Sequence, residues 1–269
     1  MQDTRAPIAT AARKVKLGGA TVMVCDDKPT FWARVEAGAW EPGSLAAIAR
    51  HARPGTQFLD LGAWVGPTCL HAAALGADCV AVEADPAALA ELRANLAANP
   101  ELAARVTVIA AAVSAAAEPV TMAARRKPGD SMSSALLAQA AAAGGRAVWR
   151  APAVTPAQLA ARLDPARPLM VKLDIEGGEF ALLPHMAPLL MRPATGGAAT
   201  LLLVSFHPGI LAESGAGPDE TRRRMEAALA PLVGWRSAAI AAGGPCPATP
   251  CAAEIIAGRQ PDAWLFARP

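Results

Sequence analysis

Short apolar runs, each closed by a glycine or an acid and followed by a helix-start signal, set the rhythm of this chain. Phe58-Leu59-Asp60-Leu61-Gly62 has the pattern of a buried parallel strand that ends in a glycine turn. Gly66-Pro67 follows, and proline at the first helical position predicts a helix to about Ala77. Cys79 to Glu83 reads as the next strand. Asp85-Pro86 then repeats the start signal, an N-cap acceptor and a proline, for a helix to about Asn99. Arg105 to Ala112, Leu169 to Ile175 and Thr200 to Phe206 are three further strands. Thr155-Pro156 and Pro218 open helices, the second running to about Leu232, and Trp235 to Ile240 and Ala263 to Ala267 are expected as final strands.

Five β segments separated by helices imply a mainly parallel sheet covered on both faces, because parallel strands need crossovers. The predicted class is α/β, a Rossmann-like doubly wound sheet. Ligands of such sheets bind beyond the carboxyl ends of the strands, which would gather the residues after Leu61, Val82, Ala111, Leu173 and Val204 around one pocket. Between Ser114 and Val154 the pattern is interrupted by Glu118-Pro119, Lys127-Pro128-Gly129, Ser131 to Ser134 and Gly144-Gly145, so short strands or loops over the sheet edge are expected there. There is no internal repeat and no long linker. Residues 1–40 read as an N-terminal appendage and residues 41–269 as a single domain.

Composition removes several function classes. The 269 residues are 53% hydrophobic, enough for a sizeable core. Lys+Arg 25 against Asp+Glu 23 leaves +2, too balanced for a phosphate-tracking surface despite Arg125, Arg126 and Lys127, so no nucleic-acid partner is expected. The most apolar stretch, Val106 to Ala117, is about twelve residues, short of the roughly 20 a bilayer span needs. No apolar core separates Asp3, Arg5, Arg13, Lys14 and Lys16, so no secretory signal is visible, and a cytoplasmic location without a membrane partner is expected. The five cysteines show no metal-binding spacing, which suits reduced thiols and implies no metal. With no tyrosine in the chain, a proton must move through histidine, a carboxylate or water.

The chemistry concentrates at strand ends. Asp60-Leu61-Gly62-Ala63-Trp64-Val65-Gly66 lies at a strand-to-helix turn, and acidic Glu83 ends the next strand. Glycines at such a turn admit a ligand close to the backbone, and a strand-end carboxylate can accept both hydroxyls of a ribose. A nicotinamide fingerprint would need glycines where Trp64 and Pro67 stand, which disfavours a dehydrogenase. What remains, Asp-x-Gly-x-x-x-Gly, resembles motif I of class I S-adenosylmethionine-dependent methyltransferases. Val171-Lys172-Leu173-Asp174-Ile175-Glu176-Gly177-Gly178-Glu179 resembles the signature of the FkbM family of these enzymes. Trp40-Glu41-Pro42, Ala112-Val113-Ser114 and Ser205-Phe206-His207 agree with it, so the resemblance spans roughly residues 31–207. Where Trp64 stands, methyltransferases in general often have glycine and this family commonly has asparagine, a departure from the pattern.

The resemblance implies the class I methyltransferase fold, with an antiparallel C-terminal edge strand, and S-adenosyl-L-methionine as cofactor. It implies that Asp60, Gly62 and Gly66 line the methionine end and that Glu83 holds the ribose, with Thr68 and Ala112 as further cofactor contacts. Glu41 either reaches the pocket or caps the surface. Gly62 and Gly66 also have a plain reading as a tight turn, and Glu83 as a solvated strand-end carboxylate. Asp174 and Glu176 leave the fourth strand where the transferring methyl should lie, and Glu176 and Glu179 are spaced to share a helix face. His207, at the next strand end, is the candidate general base. Lys172 is expected in a structural ion pair, and His51, His71 and His185 as surface or packing residues. The expected activity is O-methylation of a small-molecule hydroxyl; N- or carboxyl methylation and a non-catalytic cofactor-binding protein are the alternatives. A small-molecule acceptor is the expected partner, and a homodimer is allowed.

Overall fold

In the computed structural model, which describes residues 12–25, 27–138, 147–192, 199–241, 244–250, 252–257 and 263–268, apolar residues alternating around Gly18-Gly19 form a hairpin. Its strands are β1 (Ala12–Leu17) and β2 (Ala20–Cys25), and both glycines are left-handed, as a two-residue hairpin loop favours. Helices Pro29–Glu36 and Pro42–His51 follow. Then come β3 (Gln57–Leu61), helix Pro67–Ala74, β4 (Asp78–Glu83), helix Pro86–Ala97 and β5 (Val106–Ala110). The short β6 (Ala112–Val113) leaves this run. Next are β7 (Val120–Ala124), β8 (Ser133–Ser134), β9 (Val148–Ala151) and β10 (Ala153–Val154), the last pairing in parallel with β6. A Thr155–Gln158 capping box opens helix Pro156–Ala160. The chain then forms β11 (Leu169–Leu173), the helical turn Glu179–Leu182, β12 (Thr200–Val204), helix Pro218–Leu229, β13 (Arg236–Ala241), β14 (Gly244–Pro247) and β15 (Ala263–Ala267).

Eight strands form one sheet in the order β14-β13-β15-β12-β11-β3-β4-β5, parallel from β12 through β5 and antiparallel beyond. This is a Rossmann-like doubly wound arrangement. The antiparallel C-terminal strand β15 lies inside the sheet, between β12 and β13, and the outer edge is β14. The region expected to be irregular folds as a three-stranded antiparallel flap, β8-β7-β9; Gly144-Gly145 lies outside the described residues, as do Asp3, Arg5 and Cys251.

The element boundaries differ from expectation for local reasons. The helix from Pro67 stops at Ala74 because Gly76 turns the chain with φ +91°. The third strand breaks at Ala111, whose N–H still reaches the Glu83 carbonyl at 3.0 Å before β6 turns to β10. The helix from Pro86 ends at Ala97, and that from Pro218 ends at Leu229 and tightens to a 3₁₀ turn over Ala230–Leu232. Strand β11 ends at Leu173, two residues short of Ile175.

The pleat sorts the core into two faces. Leu59, Leu61, Val171 and Leu173 pack under Phe180, Leu183, Phe206 and Met225 on one face. Phe58 and Met170 point to the other, where the hairpin residues Val15, Leu17, Val22 and Val24 join Trp32, Ile48 and Leu70 in the same cluster. Asp60 and Lys172 are register partners on neighbouring strands and share that second face, so an acid and a base are buried side by side.

Candidate functional site

Two cavities open at the carboxyl ends of the parallel strands. The first, about 210 Å³, is lined by Gly62, Trp64, Glu83, Ala112, Met122 and Leu136, among others. The second, about 170 Å³, is lined by Glu41, Thr68, Lys172, Asp174, Glu176 and His207, with Trp40 and Ser205. Gly62, Trp64, Ser131, Asp174 and Glu176 contribute to both, so the two adjoin.

In the first cavity, Glu83 is nearly buried and its carboxylate is held by backbone donors. Trp64 N–H reaches Oε2 at 2.7 Å, and Ala84 and Asp85 N–H reach Oε1 at 2.8 and 2.7 Å. Burial raises its pKa to about 7, against the three N–H groups that favour the carboxylate. Trp64 adopts φ +48°, packs edge-on to Phe31 at 4.5 Å, and donates its indole N–H to the Gly129 carbonyl at 3.0 Å. The flap is tied down from the other side by Asp85, whose Oδ2 accepts from Gly129 N–H at 2.8 Å and from the Ser133 hydroxyl at 2.7 Å.

The glycines of the turn have their own packing reasons. A Cβ on Gly62 would stand 1.9 Å from the Asp174 carbonyl oxygen, and one on Gly66 would stand 2.5 Å from Leu92 Cδ1, with φ +86° and +94°. Close approach of β3 to β11 and of the turn to the Pro86–Ala97 helix thus demands glycine before any ligand is considered. Asp60 lies behind this turn and lines neither cavity. It is fully buried, takes the Thr68 hydroxyl at 2.6 Å, and burial lifts its pKa to about 6 despite nearby Lys172.

The second cavity is an electrostatic cluster. Lys172 Nζ stands 2.8 Å from Asp174 Oδ2, a buried ion pair. Burial alone would lower the pKa of Lys172, but Asp174, Glu41 and Asp60 together raise it, so the amine stays charged. Asp174 is held below the usual carboxylate range, the cost of burial being outweighed by Lys172 and His207. Glu41, the residue before helix Pro42–His51, sits at φ +41° with its pKa raised by burial. It is among the residues that line this cavity.

His207 is gripped by carboxylates on both sides. Its Nδ1 lies 3.0 Å from Glu179 Oε1, and its Nε2 lies 3.6 Å from Asp174 Oδ1 and 3.8 Å from Glu176 Oε2. Burial opposes its charge, but Glu179 first, then Asp174 and Glu176, lift its pKa to about 10. The carboxylates thus favour the protonated ring, which bears on the role of His207 as candidate general base. Glu176 occupies a left-handed position (φ +52°) before Gly177, outside the helical turn that Glu179 begins, so the two do not share a helix face. Burial raises the pKa of Glu176 to about 7, with His207 acting the other way.

Sequence reasoning did not single out Ser131, Ser133, Ser205, Met122 or Leu136 as cavity walls, nor Glu179 as the anchor of His207. The signal for Glu179 was its place in the Lys172–Glu179 motif; the flap residues carried none.

No protein-family model matches the chain, and no curated protein matches it. Solved structures resemble it distantly. The SAM-dependent methyltransferase from Agrobacterium tumefaciens is 14% identical, with 98% of this chain and 72% of that one covered at a TM-score of 0.42. An rRNA methylase from Streptococcus thermophilus is 11% identical over 83% and 92% at 0.42. The precorrin-6y C5,15-methyltransferase from Geobacter metallireducens GS-15 is 12% identical over 83% and 85% at 0.38.

Proposed function

We propose that this chain is an S-adenosyl-L-methionine-dependent methyltransferase that acts on a hydroxyl of a small molecule. The observation that carries the reading is the adjacency of the two cavities: a largely apolar one with Glu83 at the end of β4, and a polar one with Asp174, Glu176 and His207. The adenosine fits the first, its ribose hydroxyls donating to Glu83 and its base lying among Ala112, Met122 and Leu136. The methionine end then passes the Gly62 turn into the second cavity, where the carboxylates favour a sulfonium cation and an ammonium group. The Asp60–Gly66 segment, which resembles motif I of class I S-adenosylmethionine-dependent methyltransferases, and the Lys172–Glu179 segment, which resembles the FkbM signature, support the same assignment.

In the transfer, an acceptor oxygen forms a bond to the sulfonium methyl as the carbon–sulfur bond breaks, leaving S-adenosylhomocysteine. The hydroxyl proton passes to the Glu176 carboxylate, the cluster member whose pKa burial raises to about 7, as charge develops. The protein's share is to hold oxygen, carbon and sulfur in line and to exclude water, which the flap assists. Calorimetric titration of the full chain with S-adenosylmethionine, followed by an assay for S-adenosylhomocysteine with polyhydroxylated acceptors, tests this. Saturable binding and acceptor-dependent product are expected; no binding at millimolar cofactor would sink the reading.

A further inference from the structure

The ends of β11 and β12 also carry a donor set that a sulfonium does not require. Asp174, Glu176 and His207 each offer one ligand atom, and these atoms lie within 4.8 Å of one another. The separations of 3.6 and 3.8 Å from His207 Nε2 to the two carboxylates are too long for hydrogen bonds. They are within a few tenths of an ångström of the spacing between neighbouring ligands, since donors about 2.1 Å from a cation stand roughly 3–3.5 Å apart.

The supports behind the three donors are specific. Glu179 is fully buried; its Oε1 accepts from the His207 backbone N–H at 2.7 Å and meets Nδ1 at 3.0 Å, while its Oε2 accepts from Gly177 N–H at 2.9 Å. A carboxylate behind one ring nitrogen, with the other turned to open carboxylates, is the outer-shell arrangement that orients a metal-ligating histidine. Lys172 fixes Asp174 through Oδ2 and leaves Oδ1 facing the ring.

A second observation comes from another part of the chain. Glu41, which lines the same cavity from the N-terminal side, has a buried Oε2 with no hydrogen-bond partner, and so does Glu176. A buried carboxylate oxygen without a donor is costly, and a cation held by Asp174, Glu176 and His207 answers the one on Glu176. We propose that Asp174, Glu176 and His207 bind one divalent cation of the class that accepts mixed nitrogen and oxygen donors, such as Mn2+, Fe2+, Co2+ or Zn2+, in the cavity that Glu41 also lines. Binding releases any proton on the ring. The proposed function turns the same carboxylates toward the sulfonium, so the cation site is tested with the cofactor absent.

The test is a titration of the metal-stripped full chain with MnCl2, followed by loss of the free-ion electron paramagnetic resonance signal, and separately with CoCl2, followed by visible absorption. One saturable site per chain is expected for at least one ion, with affinity lowered roughly tenfold to a hundredfold in Glu176→Gln and His207→Ala, and by about tenfold in the supporting variant Glu179→Gln. Circular dichroism confirms folding, and Glu176→Gln, altered at a partly exposed turn, serves if either other variant fails to fold. Absence of saturable binding of both ions below 1 mM, or equal affinity in the folded variants, would overturn the site. Neither result depends on S-adenosylmethionine being bound.

Discussion

The two cavities share Gly62, Trp64, Asp174 and Glu176 in their walls, yet they are built of opposite materials. In the first, the Glu83 carboxylate is satisfied by three backbone N–H groups, and alanines, Met122 and Leu136 make most of the remaining wall. In the second, side chains compensate one another: Lys172 against Asp174, His207 against Glu179, with Glu41 and Glu176 each keeping an oxygen unpaired. Backbone donors cannot be mutated away and hold one geometry. Side-chain partners can be lost one at a time. The first cavity is thus suited to a fixed ligand and the second to changing charge, as a methyl acceptor or a cation would bring.

The sharpest break of this contrast is Lys172→Met. It leaves Asp174, Asp60 and Glu41 without their common buried cation, and stranding a buried charge costs roughly 3–5 kcal/mol. Denaturant unfolding at neutral pH should show a loss of that size, and a loss under 1 kcal/mol would mean that the second cavity does not rest on this ion pair. Glu83→Ala probes the other cavity. Charged hydrogen bonds contribute about 1.5–3 kcal/mol, so affinity for S-adenosylmethionine should fall roughly tenfold to a hundredfold by calorimetry. Unchanged affinity would remove Glu83 from the ribose role.

Much of the second cavity was legible because strand ends in a doubly wound sheet converge, and Asp174, Glu176 and His207 each follow an apolar run. What the pattern could not convey was how these groups set each other's charge. His207 in isolation titrates near neutrality; Glu179, brought beneath it by the turn after β11, and then Asp174 and Glu176 push its pKa up. Gly62 and Gly66 read as ligand contacts, whereas the clashes their Cβ atoms would make with Asp174 and Leu92 come from packing between distant segments. The hairpin β1–β2 is a different case. Gly18-Gly19 between alternating apolar residues is a local signal, present in the sequence but masked by the attention its lysines and arginine draw. The flap was read only as short strands or loops because Pro119, Pro128-Gly129 and Ser131 to Ser134 interrupt its pattern, and its position depends on Asp85 reaching Gly129 and Ser133.

Acidity sharpens the role of the first cavity. The pKa of Glu83 is raised from the ordinary carboxylate range to about 7, so the folded chain holds a proton there that the unfolded chain has released. Stability from this group is therefore fully present below about pH 4.5 and is lost as pH rises through 7. Cofactor binding runs the other way, because only the carboxylate accepts from both ribose hydroxyls. Between pH 6 and 8 the ionised fraction rises about tenfold. Affinity for S-adenosylmethionine should rise by the same factor, and Glu83→Gln should flatten the profile; a flat wild-type profile would show that the ribose does not depend on the charge of Glu83.

The smallest effect tests whether the flap is held by the wall it covers. Trp64→Phe keeps the aromatic packing on Phe31 and the backbone N–H to Glu83 but removes the indole bond to the Gly129 carbonyl. One neutral hydrogen bond contributes about 1 kcal/mol, so global stability should fall by no more than that. The informative readout is local. If the bond pins the flap over the first cavity, amide exchange of residues 120–134 should quicken while β3 and β11 stay protected, because only the segment that loses its tie opens. Faster exchange across both cavities would mean that Trp64 holds the whole strand-end platform, and the two regions would then be one.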